Sequence, residues 1–497
     1  MGVVIKQSFW GTAVAYMGVL IGYINVLYLR PEFFQLSQIG IFTLITANAM
    51  IVSPLSSLGM GSSYIKFFPS LKKEDRPAFF TMLLVFVLIA NALILLIGFS
   101  LKPWIAARYE ETAPAYIQYL SITGIVVVSN SLFDLLFNYS RTIMRVIFPT
   151  FIRDIYLRVG SLLLVLGFAL GWWSFNTAAT GLGFVYLIAV VMLFGQLLTN
   201  HQLKLDFSFH FFNAKWRNQL FRFASYSMLL ALSFAVINNI TYEQITAQLG
   251  AELNGIYVTC FFIALVVEMP KRNMIKVMGP VISLEFERKN IPEVGKLYKR
   301  SSITLSVIGI LLFIGIVTNL KDLFAFIPKG EAFQQGYWVV VGVCGVKLAL
   351  MMSSFAGEII NFSNRYYYNL LYQLIIAVLL VTLNYFLLSI YGINGAVMSY
   401  CLALFLHIAI KLGFVWKHFR IHPFMRSHAP LILIGVLTGL LGYYFQPDIH
   451  PALSIVIRST LVLIVYLILI YRFRISSDIN RLIHSTFERF LHINLPT

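Results

Sequence analysis

Lys347 stands in the run VVVGVCGVKLALMM with no other charge beside it, and a lysine so placed has few chemical options. Counted from about Gly336 at ~1.5 Å per residue, it lies roughly 16 Å along a helix, out of easy reach of either end. A charge at that depth in hydrocarbon costs about 2.5–3.5 kcal/mol on insertion scales, so it faces a cavity or a partner. The functional reading gives the ammonium an anion to hold; the structural reading gives it a carboxylate on another helix, or a neutral state. Arg158, roughly 12 Å into another apolar run that begins near Thr150, poses the same question. Asp134, toward the same end of the preceding run, is its expected partner, with anion binding the alternative. Glu268 precedes Arg272 by four residues, the spacing of an intrahelical pair, and Glu358 follows Lys347 by eleven, about three turns along one face. Either carboxylate is a candidate coupling-ion site, because desolvation moves a carboxyl toward titration in the working range. Tyr16, Tyr23, Asn25, Asn48, Asn238 and Asn239 also fall inside apolar runs. They suit the path of a flat, hydrogen-bonding solute, and hydrogen bonding between helices in lipid accounts for them equally well.

These groups need apolar elements to hold them, and the chain supplies little else. It has 497 residues, 59% hydrophobic and 11% charged, with mean hydropathy +0.81, which excludes an ordinary soluble protein. Spanning a hydrocarbon core of roughly 30 Å takes about 20 helical residues, because backbone amides in lipid must be satisfied within the segment. Fourteen runs meet that need: approximately 8–28, 39–59, 79–101, 117–138, 150–172, 178–198, 221–240, 253–272, 302–320, 335–357, 366–388, 392–416, 430–446 and 452–471. The first is too long for a signal-peptide core and lacks a small-residue cleavage site, so it is expected to stay as a span. The expected fold is an all-α membrane protein of about 14 transmembrane helices.

The net charge of +17 would suggest nucleic acid in a soluble protein, but its placement gives a topology instead. With the amino terminus in the cytoplasm, 30 of the 37 basic residues fall on the inner side. Arg30, Lys102, Arg108, Lys321, Lys329 and Arg458 fall outside, and Lys347 within the membrane. Both termini are then cytoplasmic, and a nucleic-acid partner is not expected. Two longer inner connections, residues 199–220 and 273–301, and a tail after residue 472 carry apolar stripes among basic residues. Phe211, Phe212, Trp216 and Leu220 in the first, and Ile475 to Leu491 in the tail, suggest helices on the inner leaflet, with docking of partner proteins the alternative.

The first six spans match the next six at several landmarks. Gly40-Ile41-Phe42 aligns with Gly255-Ile256-Tyr257, Pro69 and its charged sequel with Pro280 and its own, and Gly181-Leu182-Gly183 with Gly392-Ile393-Asn394-Gly395. The pattern divides the chain into an N-terminal six-helix lobe (1–200), a C-terminal six-helix lobe (201–420), helices 13 and 14 (421–471) and a cytoplasmic amphipathic tail (472–497). Two similar lobes related by an internal repeat, with a cleft between them, suit alternating access.

At these landmarks the sequence resembles the lipid-linked oligosaccharide and polysaccharide flippases, including the O-antigen type, of the multidrug/oligosaccharidyl-lipid/polysaccharide (MOP) exporter superfamily. The resemblance rests on KQSFWGTAVAYMGVLIGYINVLYL, LSQIGIFTLITANAMIVSPLSSLGMGSSYIKFFP, GIYVTCFFIALVVEMPKRNMIKVMGPVISLEFERKN and LVTLNYFLLSIYGINGAVMSYCLALFL, together with the span count. It implies a bacterial cytoplasmic (inner) membrane protein that moves a polyprenyl-pyrophosphate-linked sugar repeat unit to the outer leaflet. Its partners would be that lipid-linked oligosaccharide, membrane lipid and polysaccharide-synthesis proteins. On this reading Lys347 and Arg158, with Asp134, Tyr23, Asn25, Asn48 and Asn238, are the candidate substrate-cavity residues, and Glu268 and Glu358 the candidate coupling sites. The related flippases of peptidoglycan precursor place several cations in their early spans, whereas spans one and two here carry only Arg30 and Lys66, at their ends.

The other readings are a multidrug or metabolite exporter of the same superfamily and an integral-membrane polysaccharide polymerase or ligase. The outer connections, about 15 residues at most, are too short for the folded domain that such an enzyme needs. The chain has no GxxxxGK[ST], HExxH, paired CxxC or GxSxG. Cys260, Cys344 and Cys401 are scattered within spans and lack metal-ligand spacing, so no catalytic residue, cofactor or metal is expected.

Overall fold

The computed structural model describes residues 17–199, 204–210, 212, 214–481 and 484. Of the described residues 86% are helical, and none is in a strand. Fourteen helical segments fall on the fourteen apolar runs. They are α1 (residues 17–33), α2 (Leu36–Ser57), α3 (Asp75–Ser100), α4 (Leu120–Thr142), α5 (147–169), α6 (Phe175–Thr199) and α7 (Ala214–Leu249). They continue with α8 (Ala251–Glu287), α9 (Ile291–Thr318), α10 (Tyr337–Met352), α11 (Tyr367–Tyr391), α12 (Ile393–Phe419), α13 (His428–Tyr444) and α14 (Pro451–Arg472). Among the described residues, eleven segments are helices long and apolar enough to cross a membrane, α10 with the turns before it, and α13 is a shorter apolar helix. The remaining two, α1 and α5, are each interrupted by a π-turn, at Asn25–Leu29 and Ile152–Tyr156.

Contacts divide the chain into two compact units, the first ending at Val258 and taking in Val381–Ile393, the second comprising Thr259–Leu380 and the chain from Asn394. In the first, α2 packs against both α4 and α7, and α4 against α6. Apolar solvent around the bundle removes the hydrophobic drive that packs soluble helices, so van der Waals fit and buried hydrogen bonds hold these contacts. Tyr64, Phe79, Phe80 and Tyr139 fill one core of this unit, and Phe34, Phe42, Tyr116 and Tyr119 another. In the second unit α9 packs on α10 and α13, and α13 on α14.

Three connections differ from the sequence reading. The stripe ending at Trp216 and Leu220 is not a surface helix: it begins α7, which runs without a break to Leu249. Leu220 is fully buried and the Trp216 ring lies 5.1 Å from that of Phe67, so the aromatic stripe anchors α7 in its own unit; Phe211 lies outside the described residues. In the tail, Ile475 is buried against α9 and α14. Asp478 accepts from Arg300 Nε at 2.6 Å, and that guanidinium holds the Asp478 carboxyl below the usual carboxylate range. The rest of the tail's stripe, like Tyr16, lies outside the described residues. Finally, α10 stops at Met352; Ser354 has a positive φ of 45° and a separate helix, Ala356–Phe362, carries Glu358. Lys347 and Glu358 therefore do not share one helix face, because the helix expected to connect them is broken by Ser353–Phe355.

Candidate anion-binding site

Two π-turns lie at the contact of α1 and α5 in the first unit and set where Arg30 and Arg158 fall. In α1 the Arg30 N–H bonds to the carbonyl of Asn25, an i to i+5 closure that places the two side chains on the same face. In α5 the Leu157 N–H bonds in the same way to Ile152, and Arg158 and Ser161 follow three residues apart on one face. The faces meet at Ser161: its Oγ accepts from Asn25 Nδ2 at 3.2 Å and from Arg30 Nη2 at 3.0 Å. Close approach of the helices is possible because α1 presents Gly18 and Gly22. A Cβ on Gly18 would lie 2.0 Å from the carbonyl oxygen of Asp154, and one on Gly22 would lie 3.4 Å from the Arg158 guanidinium.

The charges of this cluster are not balanced. Arg30 Cζ lies 4.8 Å over the Phe42 ring, and neither Arg30 nor Arg158 forms an ion pair among the described residues. The acidic group in electrostatic reach of Arg158 is Asp154, which is bonded to Arg153 at 3.1 Å. Arg30 Nε and Asn25 Oδ1 are buried without a hydrogen-bond partner. Such groups are costly to leave unsatisfied, and an unfilled guanidinium donor in an apolar interior is suited to an oxyanion. Tyr186 adds a phenol in electrostatic reach of Arg30.

The pairing expected between Arg158 and Asp134 is not formed. Asp134 Oδ1 instead accepts from Asn138 Nδ2 at 3.1 Å, one turn along α4, and Gly61 leaves room for that carboxylate. The Arg158 side chain lies along the glycines of α1. Tyr23 is half-buried on α1 and in electrostatic reach of Arg158. Asn48 donates to Tyr116 Oη at 2.9 Å and to Tyr109 Oη at 3.4 Å. Asn238 donates to the Phe234 carbonyl of its own helix at 2.7 Å.

In the second unit Lys347 is buried, at 4% exposure, and its Nζ donates to Glu268 Oε2 at 2.6 Å. Arg272 approaches the same oxygen at 3.5 Å, so Glu268 joins its own helix to α10 as well as holding the intrahelical pair. Lys271, also buried, donates to the Leu350 carbonyl at 2.9 Å. Lys271 and Lys411 are both in electrostatic reach of Glu358, whose Oε2 is buried without a hydrogen-bond partner. Arg458, expected to reach the outer surface, is instead 2% exposed; it bonds Asp322 at 2.8 Å and the carbonyls of Phe445 and Thr318. That satisfied network ties α14 to the end of α9. No group of three or more His, Cys, Asp or Glu side chains among the described residues could hold a metal ion.

No family model matches the sequence, and no curated protein is similar to it. Solved structures are. A lipid II flippase, MurJ, in an inward closed conformation, aligns with a TM-score of 0.75 over 93% of this chain and 98% of that one, at 11% identity. The chain shares its fold with that flippase. An inward-facing multidrug resistance MATE family transporter of the MOP superfamily aligns with a TM-score of 0.63 at 13% identity, over 84% of this chain and 95% of that one. Its outward-facing counterpart gives 0.56 at 13% identity, over 84% and 94%. At these identities the likeness establishes the architecture.

Arg30, Ser161 and Tyr186 are the site residues that the sequence alone did not single out. Arg30 counts as an outer-edge charge when α1 is read as a regular helix, and only the π-turn puts it over Asn25. The spacing Gly18-x-x-x-Gly22, a close-packing signature in lipid, was the available signal that α1 meets another helix here.

Proposed function

We propose that the chain is a flippase of the bacterial cytoplasmic membrane. It moves a polyprenyl-diphosphate-linked oligosaccharide from the inner to the outer leaflet by alternating access, with both termini in the cytoplasm. The observation that carries this reading is the run of Arg158, Ser161, Asn25 and Arg30 along the contact of α1 and α5: two arginines without a bonded carboxylate, one with a buried and unpartnered Nε. A diphosphate supplies the missing acceptors as charge-assisted hydrogen bonds, and Tyr23 and Asn48 offer a phenol and an amide to sugar hydroxyls. Lys347 is engaged by Glu268, so an anion reaching it would compete with a carboxylate, whereas one reaching Arg30 would not. Glu268 and Glu358 are the candidate coupling groups, and polysaccharide-synthesis proteins the proposed partners.

Arg30→Gln should cut translocation at least about tenfold, the effect of losing roughly 1.4 kcal/mol of binding, while protein level and thermal stability stay near those of the parent. The measurement is the amount of lipid-linked oligosaccharide held on the inner leaflet, compared with surface polymer. Unchanged export in that variant removes Arg30 from the mechanism. The likeness to MATE structures supports a second reading, export of a drug or metabolite. Drug sensitivity on deletion, without build-up of lipid-linked sugar, would select it.

A further inference from the structure

The repeat landmarks Gly40 and Gly255 touch the same seam from opposite sides. A Cβ on Gly40 would lie 1.9 Å from the carbonyl oxygen of Ala251, at the start of α8, and one on Gly255 would lie 2.1 Å from the carbonyl oxygen of Leu36, at the start of α2. Asn254 Nδ2 also donates to the Gly40 carbonyl at 3.2 Å. Each repeat thus presses its glycine against the first turn of the other's equivalent helix, a two-fold-like contact that admits no side chain at either position.

A short helix, Lys102–Tyr109, and the segment after it close over this seam. Arg108 Nε donates to Glu243 Oε1 on α7 at 2.8 Å, and Tyr109 Oη donates to the same oxygen at 3.3 Å. Thr112 Oγ1 reaches the Ala247 carbonyl at 3.4 Å. The segment after α3 thus holds the end of α7 largely through one carboxylate, on the face that the basic residues assign to the outside. The hydrogen bonds continue inward, since Asn48 Nδ2 donates to Tyr109 Oη and, at 2.9 Å, to Tyr116 Oη. A phenol that receives a hydrogen bond is a better donor, so the grip of Tyr109 on Glu243 depends on what the Asn48 amide is doing.

We propose that Arg108, Tyr109 and Glu243 form an outer latch on the Gly40–Gly255 seam, wired to the interior through Asn48. A solute oxygen, from a sugar hydroxyl or a phosphate, that takes the Asn48 amide withdraws its hydrogen bond from Tyr109 and loosens the latch, so occupancy favours opening of the seam. The proposal rests on the transport reading only for the direction of opening and for the identity of the solute.

The test uses full-length protein in its own membrane with Ala251→Cys as a reporter. Ala251 is 5% exposed, so its thiol meets a membrane-impermeant maleimide only when the seam opens. Glu243→Gln should speed labelling about two- to fivefold, the range expected of a half-exposed ion pair, and Asn48→Leu should speed it similarly without touching Glu243. The charge swap Arg108→Glu with Glu243→Arg should return the rate toward that of the reporter alone. Labelling of Glu243→Gln at the reporter's own rate would overturn the latch, and an effect of Glu243→Gln without one of Asn48→Leu would overturn the wiring. Labelling needs no cargo. Unchanged rates with intact export would therefore sink the latch alone, whereas a working latch without movement of lipid-linked oligosaccharide would sink the proposed function alone.

Discussion

Lys347 and Glu268 show what a charge inside an apolar bundle requires. Their side chains are 5% and 18% exposed and meet at 2.6 Å, so each makes the other tolerable, and removing one leaves an uncompensated ion in a poorly solvated place. Lys347→Met should destabilise the detergent-solubilised protein by about 3–5 kcal/mol, and Glu268→Gln by a comparable amount. The double variant should recover most of that loss; thermal unfolding of the three variants decides the matter, and additive losses would show that the groups do not act as a pair. The depth of Lys347 was legible in the sequence because helical rise is constant. Its partner was not, because Glu268 lies 79 positions away and choosing among distant carboxylates requires the packing. Arg458 makes the same point: two turns from a helix end by count, it turns inward because Asp322 and two free carbonyls are within reach there.

Helices were the most legible level, since hydrocarbon thickness fixes both length and apolarity, and among the described residues each of the fourteen runs carries a helix. The irregularities within them were not. A π-turn shifts every later side chain around the helix without changing composition, which is why α1 carries Arg30 over Asn25 against a regular-helix reading. The break after Met352 likewise rests on local turn geometry at Ser354, and it moves Glu358 off the face of Lys347. Close packing of α1 on α5 is testable at this scale. Gly18→Ala places a methyl 2.0 Å from a carbonyl oxygen of α5, so the helices must part and the Asn25–Ser161–Arg30 cluster must loosen. Gly98→Ala, on α3, meets nothing within 4 Å and should be neutral or stabilising by about 1 kcal/mol or less through helix propensity. Unfolding midpoints of the two variants should move apart, with Gly18→Ala the lower; equal midpoints would mean that α1 and α5 are not held this closely.

At the scale of the whole chain, the repeat and the charge pattern are both sequence properties, and the structure gives the repeat a physical meaning at Gly40 and Gly255, which make reciprocal contacts. A weak motif match could locate those glycines but could not show that they meet, because side-chain-free contact leaves no signature beyond the glycine itself. The charge pattern makes a separate demand. Basic residues near span ends resist crossing to the outside, and 30 of the 37 share one side only if fourteen spans are all crossed and the chain starts in the cytoplasm. Losing a single crossing would invert everything after it and scatter the cations over both faces. A fluorescent reporter that matures only in the cytoplasm should therefore be bright when fused after Thr497, and a periplasm-dependent phosphatase at the same point should be inactive. The same phosphatase inserted between Glu110 and Glu111, in an outer connection, should be active. A dark reporter with an active phosphatase at the carboxyl terminus would mean an odd number of crossings or an inverted chain, and the proposed inside-to-outside direction would fall with it.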